Sequence, residues 1–333
     1  MSSRQFTMQI DQLPRRSLGF FPTPLHPLPN LSKRLGGPQL WVKRDDQTGL
    51  ATGGNKTRKL EFLLGDALQQ NADLLMTVGA PQSNHARQTA AAAAQAGLRS
   101  TLVLRGTPQT DRGGNILIDD LIGAEVRWAG DRPPQDLMNT IAEVMKLKGH
   151  RPYIIPLGGS NAVGAVGYVT AMQELLDQAQ ALNVTFDAIV FATSSGGTQA
   201  GLVVGARRAG YTGRILGISV DHHTAGLTPV LIEIANATAN RIDLAFTFSA
   251  SDFEVNDQYL GGGYAILGDP ERKAIRITAQ TEGLLVDPVY TGRAMAGLMD
   301  LIRRREFRLD QNVLFWHTGG TAALFAYSKQ LEH

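Results

Sequence analysis

Thr52-Gly53-Gly54-Asn55-Lys56-Thr57-Arg58-Lys59-Leu60-Glu61-Phe62-Leu63-Leu64 is the stretch from which the rest of the chain is read. Leu60, Leu63, Leu64, Ala67 and Leu68 recur at helical spacing, so a helix with one apolar face begins at or just behind Lys56. The two glycines let the backbone ahead of it bend sharply. A lysine presented into a cleft in this way serves one of two chemistries: phosphate gripping, or covalent Schiff-base catalysis with a carbonyl cofactor. A Walker A loop carries glycine directly before its lysine. Here Asn55 intervenes, and the segment ahead, Lys43 to Thr48, is polar instead of a hydrophobic strand. A merely basic helix start is the third reading, and the macrodipole disfavours it.

The 333 residues suit one large domain or two moderate ones, with 43% hydrophobic and 19% charged residues, the composition of an ordinary soluble enzyme. The formal charge of +2, from 32 basic and 30 acidic residues, is too balanced for a nucleic-acid footprint. Arg303-Arg304-Arg305 is the densest basic cluster, and at the end of an apolar helix it complements the dipole. The chain has no cysteine, which excludes disulfides, thiolate zinc sites and a cysteine nucleophile. Met1 to Leu18 lacks the apolar core of a secretory signal, and no apolar run approaches a membrane span, so a cytoplasmic protein is expected. The sequons at Asn183 and Asn236 are then chance matches.

Hydrophobic strand patterns alternate with helical ones. Strands are expected at 40–43, 74–78, 100–104, 125–128, 153–156, 188–192, 215–220 and 313–316, and helices from about 87, 116, 137, 165, 227, 272 and 291 onward. Residues 1–45 are punctuated by prolines, and 246–263 looks irregular. This rhythm means parallel α/β architecture, in which ligands sit beyond the carboxyl ends of the strands.

Three strand-to-helix loops are rich in small hydrogen-bonding residues. Ser194-Ser195-Gly196-Gly197-Thr198 offers successive backbone N–H groups at a helix start, a cup for phosphate, with a plain tight turn as the alternative. Gln82-Ser83-Asn84-His85 could do no more than cap a helix, and Gly319-Gly320 follows His317-Thr318. No G-x-G-x-x-G fingerprint is present, which counts against NAD. His317 lacks partners at metal spacing, and the adjacent His222 and His223 would point to opposite faces of a strand, so no metal is expected. Tyr290, after the turn at Pro288, could anchor that turn, stack on a flat heterocycle or move a proton. A lysine, a phosphate cup and an aromatic platform at one edge of the sheets together fit pyridoxal 5'-phosphate.

At these residues the chain resembles a known family. Gly53 to Phe62, Gln82 to Ala90, Ser194 to Gly201, Leu285 to Leu298 and His317 to Tyr327 are similar, in the same order, to the D-cysteine desulfhydrase and aminocyclopropane-carboxylate deaminase family. The resemblance runs from about Pro22 to Tyr327. It implies a fold type II pyridoxal-phosphate enzyme, tryptophan-synthase-β-like: α/β, with two open, twisted, mainly parallel sheets flanked by helices. It further implies a larger cofactor-binding domain at 1–58 plus 166–333, a smaller inserted domain at 59–165, and a homodimer.

Carried over residue by residue, Lys56 would hold the cofactor as a Schiff base, and Asn84 would bond its ring hydroxyl. Lys59, Ser195, Gly196, Gly197 and Thr198 would hold its phosphate, with Tyr290 and Thr318 beside the ring. A small amino-acid substrate would meet Ser83, Asn84, His85, Tyr264 and Thr291, and Lys56, Tyr290 and Ser83 would handle protons. The deaminases of this family carry glutamate after the tyrosine and leucine after the histidine. Thr291 and Thr318 stand there instead, which disfavours cyclopropane opening. The implied activity is β-elimination of D-cysteine to pyruvate, hydrogen sulfide and ammonia, with L-cysteate sulfo-lyase as the rival. Outside the class stand a nucleotide-binding P-loop protein, weakened by Asn55, and a non-catalytic amino-acid-binding protein.

Overall fold

A computed structural model describes residues 10–110 and 112–332. The first nine residues and the last residue of the expected larger domain lie outside that range. In chain order the strands are β1 (Leu25–Pro27), β2 (Gln39–Arg44), β3 (Leu74–Gly79), β4 (Arg99–Leu104) and β5 (Glu125–Trp128). They continue with β6 (Pro152–Ile155), β7 (Ala188–Thr193), β8 (Arg214–Ser219), β9 (Glu254–Asn256) and β10 (Asn312–His317). One sheet has six strands in the order β1-β2-β10-β7-β8-β9, parallel except for the antiparallel β1 edge. The other has four parallel strands in the order β5-β4-β3-β6.

The central strands are near-continuous hydrophobic runs because both faces are covered. In β10, Val313 and Phe315 pack with Val190 of β7 under helix Thr291–Arg303. Leu314 and Trp316 point the other way, with Ile189 and Phe191, onto helix Ala162–Ala181. The period-two alternation of side chains thus feeds two core layers from one strand. The four-stranded sheet falls within residues 59–165 and the six-stranded one outside it. The expected limits at 58/59 and 165/166 fall inside helices Lys56–Gln69 and Ala162–Ala181, which pack on each other.

Several local expectations are corrected. The proline-punctuated segment contains β1 and helix Pro29–Leu35, which starts on proline and stops at a left-handed Gly36. The irregular stretch supplies the edge strand β9. His222 and His223 do not alternate on a strand: β8 ends at Ser219, and they form the turn into helix Thr224–Arg241. Five helices begin three residues earlier than their apolar periodicity suggests, at Asn84, Pro134, Ala162, Thr224 and Asp269, and side-chain caps set two of these starts. Ser83 Oγ accepts from Ala86 N, and Asn161 Oδ1 accepts from Gly164 N.

A buried ionic knot ties these elements together. Asp45, at the end of β2, is fully buried. Its Oδ2 accepts from Arg58 Nε at 2.9 Å, Tyr168 OH at 2.6 Å and Trp316 Nε1 at 2.8 Å. Its Oδ1 accepts from Arg58 Nη2 at 2.8 Å and Thr23 Oγ1 at 3.0 Å. Arg58 also donates to both Glu174 oxygens, at 2.9 and 2.8 Å, and Lys43 donates to Glu174 and Gln178. Burial alone would push the Asp45 carboxyl up; the Arg58 guanidinium outweighs it and holds the group below the usual carboxylate range. Asp45 therefore contributes stability above its ordinary titration range, lost as pH falls through its depressed value. Replacing Arg58 with alanine strips the buried Asp45 carboxylate of its guanidinium, leaving Glu174 to Lys43 alone, and is expected to cost about 3–5 kcal/mol in chemical denaturation. The exposed Arg303→Ala should leave the midpoint unchanged.

Candidate active site

The glycine pair sets the lysine. Gly53 and Gly54 have φ of 71° and 133°, and a Cβ on Gly53 would lie 2.2 Å from Asp46 O. Thr48 Oγ1 accepts from Gly54 N at 2.8 Å, and Asn55 N donates to Thr318 O at 2.9 Å. Asn55 Nδ2 donates to Thr198 Oγ1 at 3.0 Å. The residue that separates this loop from a Walker A pattern thus binds the lysine loop to the two other glycine turns.

Lys56 is the first residue of its helix and lines a cavity of about 480 Å³. The cavity is walled by loops that leave β3, β4, β6, β7, β8 and β10, at the carboxyl ends of strands in both sheets. Lys56 Nζ has no hydrogen-bond or ion-pair partner among the described residues. Burial pulls its pKa down to about 8, against the opposing charge of Asp221.

The loop after β7 forms an anion cup. Ser194 Oγ donates to Asp221 Oδ2 at 2.8 Å, and Ser195 Oγ lies 2.8 Å from Ser160 Oγ. The Gly197 N–H donates to Ser160 Oγ at 3.1 Å. The Gly196 and Thr198 N–H groups find no acceptor among the described residues, at the positive end of helix Gly197–Ala209.

Across the cavity, Ser83 caps helix Asn84–Gln95 by accepting at Oγ, so its hydroxyl proton is free to donate inward. The Asn84 and His85 N–H groups at that helix start have no acceptor among the described residues. Asn84 Oδ1 is occupied by Arg87 Nη1 at 3.2 Å and Asn115 Nδ2 at 3.1 Å, so its amide NH2 faces the cavity as a donor. His85 Nε2 lies 2.8 Å from Thr77 Oγ1, whose own proton goes to Ile155 O, so the ring nitrogen supplies the proton of that bond. Burial, then Lys56 and Lys59, holds the His85 imidazole neutral.

Tyr264 and Tyr290 close one side, with their hydroxyls 2.5 Å apart and their rings at 70°. Burial raises Tyr290 well above its ordinary range and Tyr264 to about 12. Both remain phenols at neutral pH, able to donate or relay a proton but poor as bases. Thr318 also lines the cavity, and its hydroxyl has no partner among the described residues.

Three expected contacts stand behind the wall. Lys59 Nζ donates to Gly158 O at 3.1 Å and Ser160 Oγ at 3.2 Å, so it braces the cup through Ser160. Gly197 is turned to the same serine. Thr291, expected at the substrate, is fully buried, and its hydroxyl is committed to Asp287 Oδ1 at 2.7 Å. Asp287 also accepts from the N–H groups of Val289, Tyr290 and Thr291, and so fixes the turn that aims Tyr290.

Sequence reasoning missed Asp221, Ser160 and Arg105. The signals were present: an acid directly after the strand 215–220, a fourth glycine turn at 158–160 after β6, and a cation at the end of β4. An unpartnered amine, an open cup of N–H donors and a fixed amide donor fit the aldehyde, phosphate and phenolic oxygen of pyridoxal phosphate.

The comparisons agree. Residues 16–319 match the pyridoxal-phosphate dependent enzyme family. A D-cysteine desulfhydrase from Klebsiella pneumoniae (strain 342) is 42% identical over 328 residues, covering 97% of this chain and 98% of that protein. Another from Yersinia enterocolitica is 44% identical over 329 residues, covering 97% and 98%. The crystal structure of an ACC deaminase homologue superposes with a TM-score of 0.91 at 39% identity, covering 99% of both chains. A pyridoxal 5'-phosphate-dependent aspartate racemase, at 19% identity and a TM-score of 0.67 over 96% of this chain and 95% of its own, shares the fold. The chain belongs to the pyridoxal-phosphate dependent enzymes, with the fold type II arrangement of two mainly parallel sheets.

Proposed function

We propose that this protein is a carbon–sulfur lyase that converts D-cysteine and water to pyruvate, hydrogen sulfide and ammonia. The observation that carries the reading is the free, low-pKa amine of Lys56, set between the anion cup and the donors of Ser83 and Asn84. The near-full-length likeness to proteins named D-cysteine desulfhydrase points to the same substrate. When bound, pyridoxal phosphate supplies a carbonyl and a ring that can store an electron pair. Gly196 and Thr198 would hold its phosphate, with Ser195, Gly197 and Lys59 bracing the cup, while Asn84 would donate to its phenolic oxygen and Thr318 would lie beside the ring.

The substrate carboxylate is met by the Ser83 hydroxyl and the N–H groups of Asn84 and His85. Lys56, whose burial lowers its pKa to about 8 and so makes the neutral amine accessible, takes the Cα proton. The Cα–H electron pair forms the Cα–Cβ double bond, the C–S pair leaves with sulfur as hydrosulfide, and the phenol of Tyr290, hydrogen-bonded to Tyr264, donates a hydrogen bond to the departing group. Thr291 supports this site from behind through Asp287. We further infer a division into domains 1–58 plus 166–333 and 59–165, and a cytoplasmic homodimer. The exposed Leu117, Leu121 and Phe325, on two helices in contact, support the dimer.

One observation favours L-cysteate as a second substrate. Arg105 lines the cavity beside Gly79, exposed and without an ion pair or side-chain hydrogen bond among the described residues. A free guanidinium there suits a departing sulfonate better than a thiol. Cyclopropane opening is disfavoured, since Thr318 and Thr291 offer only hydroxyls.

Sulfide release from D-cysteine by the purified enzyme tests the main reading, with L-cysteine and L-cysteate alongside. Activity with D-cysteine that Lys56→Ala abolishes supports it. Sulfite from L-cysteate without sulfide from D-cysteine would transfer the function to the rival. If L-cysteate is turned over, Arg105→Gln is expected to raise its KM about tenfold, as for loss of one charge-assisted contact, and to leave D-cysteine kinetics unchanged.

Because Lys56 titrates near 8, its neutral amine accumulates as pH rises through that value. Uptake of pyridoxal phosphate by the cofactor-free protein, followed by absorbance, should quicken over the same interval. Asp221→Asn removes the charge that opposes the downward shift, so the midpoint should move to lower pH. A midpoint in the ordinary lysine range for both proteins would contradict the assignment.

A further inference from the structure

Arg87 is the fourth residue of helix Asn84–Gln95, fully buried, behind the cavity instead of in its wall. Its Nη1 donates to Asn84 Oδ1 at 3.2 Å and to Asn115 Oδ1 at 2.8 Å, and its Nη2 donates to Gly53 O at 2.7 Å. One planar cation therefore joins three segments: the Asn84 helix start, the Asn115 helix start and the glycine loop that leads to Lys56. The flexible, pointlike ammonium of a lysine has no fork with which to hold that set.

The consequence falls on Asn84. Its Oδ1 accepts from two donors, Arg87 Nη1 and Asn115 Nδ2. If the amide rotated end for end, its NH2 would face a guanidinium and a second NH2, three donors with no acceptor among them. The amide is locked, and only N–H can be offered to the cavity. Such a group favours an anionic oxygen on whatever ring binds there and disfavours the protonated hydroxyl. Asn115 is itself secured, with its N–H on Gln82 Oε1 at 2.8 Å and its Nδ2 on Gln82 O at 3.0 Å. Asp119 and Asp287 lie within electrostatic reach of Arg87, and the guanidinium remains charged at neutral pH.

We propose that Arg87 is a positioning residue that sets the ionisation of the cofactor's phenolic oxygen by locking the Asn84 amide as a donor. The inference rests on the reading of the cavity as a pyridoxal-phosphate site, and Arg87 and Asn115 act from behind its wall.

The test is the absorption spectrum of the holoenzyme, titrated with pH, for wild type, Arg87→Lys, Asn115→Ala, Asn84→Ala and the Arg87→Lys/Asn84→Ala double variant. Ionised and neutral phenolic forms of the bound ring absorb at different wavelengths, so the midpoint of their interconversion is read directly, without turnover. Removing a donor from an anionic oxygen raises its pKa. Arg87→Lys is expected to move the midpoint upward by about one unit, a tenfold change in the equilibrium. Asn84→Ala should move it in the same direction. The double variant should move it no further than Asn84→Ala alone, because Arg87 acts through Asn84.

Asn115→Ala, which removes the second donor to Asn84 Oδ1, should give a smaller shift of the same sign. It decides the matter alone if Arg87→Lys does not fold. Unshifted midpoints in both Arg87→Lys and Asn115→Ala, or an additive double variant, would overturn the proposal. A wild-type protein that takes up no cofactor would instead overturn the reading of the cavity.

Discussion

The Arg58 guanidinium is clamped between two carboxylates, Asp45 and Glu174, and the geometry of the active site descends from that contact. Arg58 lies two residues beyond Lys56 on the same helix, and Asp45 ends a strand of the six-stranded sheet. Glu174 belongs to helix Ala162–Ala181, which packs on the lysine helix. Buried ion pairs of this kind are weak sources of net stability against an apolar alternative, yet once made they are expensive to break. What the knot supplies here is position: the lysine helix cannot rotate or slide without stranding a charge. Trp316 and Tyr168 complete the shell around Asp45, so the strand that leads into Thr318 is held in the same frame. Glu61, one turn further along, accepts from Leu18 N and pairs with Arg15, which fastens the N-terminal segment over the helix.

The site that results is rich in donors and poor in acceptors. Two lysines, two helix starts, an amide and several hydroxyls face inward or stand just behind the wall, against one carboxylate, Asp221, whose Oδ1 has no partner among the described residues. A phosphate, a carboxylate and a phenolic oxygen all have places in such a field, and each would be bound by dipoles that need no rearrangement. The same field explains why the amine of Lys56 gives up its proton easily. Burial drives its shift, and the second lysine, Lys59, is itself driven well down by burial and by Lys56.

Much of this was legible in the sequence, for identifiable reasons. Parallel strands buried on both faces are short hydrophobic runs, and the eight that were read stand within a residue or two of their observed limits. Glycine–hydroxyl loops after such strands are the ligand-bearing edge of an open α/β sheet, so the Lys56, Ser83–Asn84 and Ser195–Thr198 segments could be picked out by position, while the role of each residue came from the resemblance to the family. The edge strands escaped because three-residue strands carry no period. The early helix starts were set too late because first turns are fixed by caps and proline and carry no apolar period, as at Asn161 and Pro134. Thr291 was placed at the substrate since it follows Tyr290 in the chain. The helix begins there, and the Asp287 carboxylate turns the threonine inward. The role of Arg87 has no local signature at all: its partners are 3, 28 and 34 residues away, and only the fold assembles them.

The most direct test of the account is to locate the bond between protein and cofactor. Purified holoenzyme would be treated with borohydride, digested and examined by peptide mass spectrometry. The account predicts one modified peptide, with the reduced pyridoxyl-phosphate mass on Lys56. A label on Lys59 or Lys43, or retention of the cofactor with no covalent adduct, would contradict it.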